Sequence, residues 1–226
     1  MSLSSRIARE KGKLIEGHTT GANWDRLNAL AYRGVLSCHE ALHAKDVMNR
    51  LRLGFHVMLR HGSIRRDMDR YMEALRAAER FDASRIMLVS DGIFADHLLE
   101  WGNMDWVVAE AVRCGLDPVR AIQMATLNPA RYFRMDHRVG AVAPGRLAHI
   151  LVVPSLERPT PRAVFSKGVL AAEDGRLAID GFPEAKPETG SRPFRVGPLE
   201  EGTFRIERNG RSGPVPVITI VDRTVT

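Results

Sequence analysis

Over the first 130 residues, short apolar runs alternate with longer stretches whose apolar residues recur every three or four positions, a strand-then-helix rhythm. The strands predicted from it are Lys13 to Glu16, Gly34 to Ser37, Phe55 to Leu59 and Arg85 to Val89, each followed by a polar cluster. Between them, Ala44 to Leu53 reads as a helix stopped by Gly54, and Ile64 to Ala78 places Ile64, Met68, Met72 and Leu75 on one stripe. Met104 to Cys114 is a helix closed by Gly115, and Pro118 opens another over Val119 to Leu127, ahead of Asn128-Pro129. After Phe133 the pattern shortens: Val139 to Gly145, Leu147 to Val153, Ala163 to Phe165, Val169 to Ala172 and Leu177 to Ile179 read as a small β module with turns such as Asp174-Gly175. A stretch rich in Pro, Glu and Gly, Phe182 to Pro198, then leads to two strand-like pieces, Thr203 to Glu207 and Val215 to Val221. These are expected to be the start of a third module cut short.

Composition narrows the class without changing this outline. With 44% hydrophobic and 27% charged residues among 226, the chain has globular rather than disordered or fibrous character. No apolar run reaches the roughly 18 residues of a membrane span and the first residues lack a signal-peptide core, so a cytoplasmic protein with no membrane partner is expected. Cys38 and Cys114 stand far apart with no CxxC pattern, which supports buried thiols rather than a disulfide or a cysteine zinc site. The net charge of +6 is not clustered: Arg65-Arg66 is followed by Asp67 and Asp69, which reads as a solvated helix face and not as a nucleic-acid stripe.

In parallel βα architectures chemistry gathers where strands end. The residues there are Gly17-His18-Thr19, Cys38-His39-Glu40, Arg60-His61-Gly62-Ser63 and Ser90-Asp91-Gly92, and the steps of 21, 22 and 30 residues from His18 to His39, His61 and Asp91 place the four tips side by side on one rim. Two histidines and a carboxylate there suit a borderline divalent metal. The plainer alternatives are surface or hydrogen-bonded histidines and a turn at Asp91-Gly92. A competing motif overlaps one tip: His39-Glu40-Ala41-Leu42-His43 matches the H-E-x-x-H pattern of zinc metalloproteases, with Glu73 or Glu79 at a spacing open to a third ligand. The run follows straight from a strand, and Asp46 stands where the extended pattern requires glycine, so His43 reads better as an exposed first-turn residue. The H-x-E with P-C-x-x-C signature of cytidine deaminases is absent.

Taken together, Glu16 to Gly21, Leu27 to Val35, Ser37 to Glu40, Leu51 to Gly54, Val57 to Arg60 with Gly62-Ser63, Ser90-Asp91, Asp117-Pro118, Met124 to Ala130 and Gly140 to Gly145 form an ordered series. It resembles the adenine deaminases of the amidohydrolase superfamily over residues 11 to 180, with a weaker echo from Arg195 onward. The resemblance implies an α/β fold: a partial (β/α)8 TIM-like barrel, strands five to eight, in residues 1–135, a small β-rich domain in 136–182, and a linker and truncated C-terminal domain in 183–226. It implies that His18, His39 and Asp91 are the metal ligands after strands five, six and eight, and that Asp91 also transfers protons. Glu40 is implied as a catalytic and substrate-contacting residue, with Arg60 and Ser63 as further substrate contacts. The implied reaction is metal-dependent hydrolysis of adenine to hypoxanthine and ammonia, with Mn²⁺, Fe²⁺ or Zn²⁺ as the metal. Another C–N hydrolysis of the superfamily, or an inactive barrel fragment, is the alternative.

The family's strand-one His-x-His pair and strand-four ligand have no counterpart, which leads to an expectation of weak metal binding and of no activity in the isolated chain. His61 stands where glutamate is usual, Gly92 where a second aspartate is, Asn103 where a histidine is, and His149 where an aspartate is, which signals a divergent substrate or a decayed site. Four parallel strands with open edges imply a homo-oligomer or association with a missing N-terminal half. A small purine is the implied substrate.

Overall fold

The structure is a computed structural model describing residues 3–78, 81–180, 197–205 and 213–214. Residues up to Ile179 pack as one compact unit, and a second begins at Asp180. In chain order the elements are helices α1 (Leu3–Glu10) and α2 (Trp24–Tyr32), strand β1 (Ser37–Cys38), α3 (Ala44–Arg52), β2 (His56–Arg60), α4 (Met68–Ala77) and β3 (Ile86–Val89). Then follow α5 (Ala95–Trp101), α6 (Met104–Arg113), α7 (Pro118–Ala125), α8 (Leu127–Tyr132), β4 (Ile150–Val152), β5 (Ala163–Ser166), β6 (Val169–Glu173) and β7 (Arg176–Leu177).

The first sheet is parallel, in the order β1-β2-β3, and Ile15 extends it through a single parallel bridge to Val35. The run Lys13 to Glu16 is thus reduced to one bridging residue, and Gly34 to Ser37 to a bridge followed by β1. Alternation along β2 sorts its faces. Val57 and Leu59 join Ile86 and Leu88 of β3 in a buried core with Met68, Tyr71, Met72 and Leu75 of α4, Val107, Val108 and Ala111 of α6, and Ala121 and Met124 of α7. His56, Met58 and Arg60 alternate onto the opposite face. A parallel sheet covered by helices is read from such apolar strands, which is why β2 and β3 are legible in the sequence.

Several helices differ from expectation. Ile64 to Asp67 is not helical: a bridge between His61 and Arg66 and the bond from Gly62 N–H to Arg65 O hold a compact loop, so α4 starts only at Met68. Arg65-Arg66 therefore precedes the helix, with the Arg65 guanidinium beside Asp67 and that of Arg66 over the Trp101 ring at 4.3 Å, rather than on a solvated helix face. Asn128-Pro129 does not end the helical region, since Pro129 lies in the first turn of α8, where its missing N–H is tolerated. Helices α1 and α5 bury no residue.

The second sheet is antiparallel, in the order β4-β5-β6-β7. Lys167-Gly168 and Asp174-Gly175 form its two tight turns, all four residues having φ between 48° and 83°, the left-handed pairing that suits two-residue hairpins. Val139 to His149 contains turns and irregular backbone instead of strand. Thr203 and Phe204 lie in a turn, so the described part of Thr203 to Glu207 is not a strand, and Val215 to Val221 lies outside the described residues. Among the described residues no helix is long and apolar enough to cross a membrane.

Candidate metal centre

Two strand-end segments, Gly17 to Thr19 and Cys38 to Glu40, bring His18, His39 and Glu40 together. One ligand atom from each lies within 4.8 Å of the others, the one such group of three among the described residues. Glu40 Oε1 stands 3.7 Å from His18 Nδ1 and 3.5 Å from His39 Nε2, and the two imidazoles meet edge to face with centroids 4.5 Å apart. Donors of a tetrahedral zinc site with bonds of about 2.0–2.1 Å are about 3.4 Å apart, so the carboxylate is already near ligating distance from both rings. The His18 side chain is 69% exposed, His39 29% and Glu40 13%, so the group opens to solvent on the His18 side. Glu16, Gly17, His18, Ser37, His39 and Met58 line a cavity of about 240 Å³ beside it.

Asp91 is on the same rim but reaches the group through Arg60. At the tip of β3 it adopts φ of +49°, a left-handed conformation that aspartate tolerates better than most residues. Its Oδ2 accepts from Arg60 Nη1 at 2.7 Å, and the same nitrogen donates to Glu40 Oε1 at 2.7 Å, while Nη2 donates to Glu40 Oε2 at 3.1 Å. The Arg60 side chain is buried, so the guanidinium bridges the largely buried Glu40 carboxylate and the Asp91 carboxylate, which reaches solvent. Burial alone would raise the Glu40 carboxyl, but hydrogen bonds from Arg60 and Thr20 and the charges of Arg60 and His18 outweigh it and bring it down to about 2. Burial would likewise lower Arg60, and its bonds to Glu40 and Asp91 overcome that and push it up.

Gly62 lets the tips of β2 and β3 approach this closely, because a Cβ there would run into the backbone oxygens of Ser90 and Gly92. Ser63 is buried, and its Oγ accepts from the Phe94 N–H at 2.8 Å and lies 2.9 Å from His97 Nδ1. Its hydroxyl thus braces the loop after β3. His61 faces the helices, its ring tilted against that of Trp106 with centroids 4.6 Å apart, and burial drives its pKa down. Asn103 precedes α6 and donates its N–H to Asp105, and His149 Nδ1 lies 3.5 Å from Ser166 Oγ. The helical pairing that an H-E-x-x-H site needs is not formed: residues 39–43 are irregular, α3 begins at Ala44, and His43 is exposed at its N-cap. Glu73 points outward on α4, and Glu79 lies outside the described residues. Sequence reasoning missed Arg50, which is buried beneath the His18 tip; a charged residue three positions after Val47 on the inward face of α3 is the signal that could have found it.

This geometry can be set beside known proteins. The chain is 38% identical over 215 residues to an adenine deaminase of Cenarchaeum symbiosum, covering 95% of this chain and 35% of that protein. It is 40% identical over 223 residues to an adenine deaminase of Rubrobacter xylanophilus, covering 96% and 37%. The chain thus spans about a third of the length of these relatives. Among solved structures, the N-acetyl-D-glucosamine-6-phosphate deacetylase of Mycobacterium smegmatis superposes with a TM-score of 0.59 at 20% identity, over 75% of this chain and 51% of that one, a likeness of fold. The profile of the Amidohydrolase family matches residues 1–171, three quarters of the sequence, and to that family the chain belongs.

Proposed function

We propose that this chain carries part of the active site of a metal-dependent hydrolase that converts adenine to hypoxanthine and ammonia. The observation that carries the reading is the identity of 38–40% to proteins named adenine deaminases, sustained over at least 95% of the chain. The Ile15 segment and β1 to β3 would then be strands five to eight of an eight-stranded barrel in residues 1–135, with β4 to β7 a β-rich domain in 136–182. Two imidazoles and a carboxylate within 4.8 Å are a donor set that fits a divalent ion of the Mn²⁺, Fe²⁺ or Zn²⁺ kind. When bound, such an ion acidifies water and so supplies a nucleophile at neutral pH.

The roles of the chain's own residues follow. His18 and His39 would hold such an ion with Glu40 beside them, and Asp91 would be the further ligand and the proton carrier. Water oxygen bonds to the amidine carbon of adenine while Asp91 accepts the water proton. The same carboxyl then returns the proton to the exocyclic nitrogen as the carbon–nitrogen bond breaks and ammonia leaves. Arg60, bonded to Glu40 and Asp91 together, keeps both carboxylates turned to one place, and Arg60 and Ser63 border the substrate position.

The test is to strip the intact protein of metal, reload it with Mn²⁺, Fe²⁺ or Zn²⁺, and follow adenine by its ultraviolet change. Conversion is expected with metal, with loss in His18→Ala, and in Asp91→Asn with metal retained. No conversion by metal-loaded protein would remove adenine as the substrate and leave the family membership standing.

A further inference from the structure

Arg50 is among the largest fully buried side chains, 1% exposed, on the inward face of α3. A guanidinium withdrawn from water is costly unless its donors are engaged, and the usual solution is a close carboxylate. Asp46 does not fill that role well: its Oδ1 is 3.8 Å away and its side chain is one third exposed. The charge is held mainly by neutral oxygens. Nε and Nη2 donate to Thr19 Oγ1 at 3.0 and 2.8 Å, Nη2 donates to Thr19 O at 2.7 Å, and Nη1 donates to Asp46 O at 3.0 Å. Thr19 directly follows His18.

The Thr19 hydroxyl, accepting from two guanidinium nitrogens, donates its own hydrogen bond to Cys38 Sγ at 2.8 Å. That sulfur also accepts the Glu40 N–H at 3.2 Å, and Cys38 directly precedes His39. Thr19 and Cys38 are 2% and 1% exposed, so the chain of bonds from α3 to the Glu40 backbone is shielded from competing water. Asp46 ties in the far side of the same loop by accepting the Leu42 N–H at 3.3 Å. One helix therefore grips both tips that carry the candidate ligands, and neither tip is a regular strand able to fix its own side chains.

We infer that Arg50, acting through Thr19 and Cys38, is a positioning residue that sets the separation of His18 from His39 and Glu40. The inference rests on the reading of these residues as a metal centre. Partners that orient metal ligands typically change metal affinity by 10–100-fold when removed.

The test is Zn²⁺ affinity of the metal-stripped intact protein, measured by competition with a chromophoric chelator, beside the thermal midpoint of the metal-free form. Thr19→Val keeps the shape but removes the hydroxyl at the centre of the relay, and Thr19→Ser restores it. Leu75→Ala, in the core under α4, serves as a control for plain loss of stability. Zn²⁺ binding at least tenfold weaker in Thr19→Val, within threefold of wild type in Thr19→Ser, and unchanged in Leu75→Ala, is expected. Should Thr19→Val fail to fold, Cys38→Ala, which removes the sulfur between Thr19 and Glu40, carries the same expectation. Affinity within threefold of wild type in the folded relay variant, or an equal loss in Leu75→Ala, overturns the inference alone. A wild-type protein that binds no Zn²⁺ overturns the metal centre and the inference together.

Discussion

Replacing Arg60 by glutamine in metal-depleted protein removes the cation between Glu40 and Asp91 and exposes what it contributes. The Glu40 carboxyl sits at about 2 in place of 4.5. That displacement corresponds to roughly 3 kcal/mol of folded-state preference for the ionised carboxylate. Burial works against it, so the bonds and charge of Arg60, with Thr20 and His18, supply more than the net effect. Because the folded pKa is depressed, this stabilisation is full above pH 4.5 and is lost as pH falls through about 2. Arg60→Gln is therefore expected to cost about 3 kcal/mol at pH 7, in the range seen when one partner of a buried ion pair is removed. At pH 3, where wild-type Glu40 retains less than half its contribution, the deficit shrinks to roughly 1 kcal/mol. Urea unfolding followed by tryptophan fluorescence at pH 7, 4 and 3 measures both, and Glu40→Gln with the double variant isolates the pair. A deficit below about 0.5 kcal/mol at pH 7, or one that stays constant down to pH 3, would refute the reasoning.

His56 and His61 are held below the usual histidine value of 6.5, burial being the first cause for each, so their contribution to stability is full above pH 6.5 and is lost as pH falls below it. His61→Phe, which keeps a ring against Trp106, should flatten the stability–pH slope below pH 6.5; an unchanged slope would rule His61 out as its source. Gly62→Ala forces a methyl group against the backbone oxygens of Ser90 and Gly92 and is expected to cost about 1–3 kcal/mol in thermal unfolding; a wild-type melting temperature would show that the tips of β2 and β3 can separate freely. Asn128 is buried and its Nδ2 donates to Ala83 O and Ile86 O at 2.9 and 2.8 Å, so Asn128→Ala strips β3 of this brace at about 1–3 kcal/mol, and hydrogen exchange should speed up in β3 first.

What sequence could and could not reveal follows from parity and from long-range pairing. The βα spacing placed His18, His39 and Asp91 on one rim because strand length and helix length are local properties, and His18 and His39 do lie together. The side of the sheet on which a residue falls is also local, and β2 shows it: His56, Met58 and Arg60 share one face, so His61 turns to the other and packs on Trp106 although it occupies the same rim. Partnership is another matter. That Asp91 bonds Arg60, and that Arg60 shares one nitrogen between Asp91 and Glu40, depends on the relative height of three strand tips, which no local pattern encodes. Arg50 is the intermediate case. Its place after Val47 on the inward face of α3 is a signal that could have marked it as a buried charge, but its partner Thr19 is 31 residues away. The two buried arginines divide the work by the character of their partners. Arg60 meets ionised carboxylates, so its removal must appear in the pH dependence of folding; Arg50 meets mainly a hydroxyl and carbonyls, so its removal must appear in geometry, read through the metal that the geometry holds.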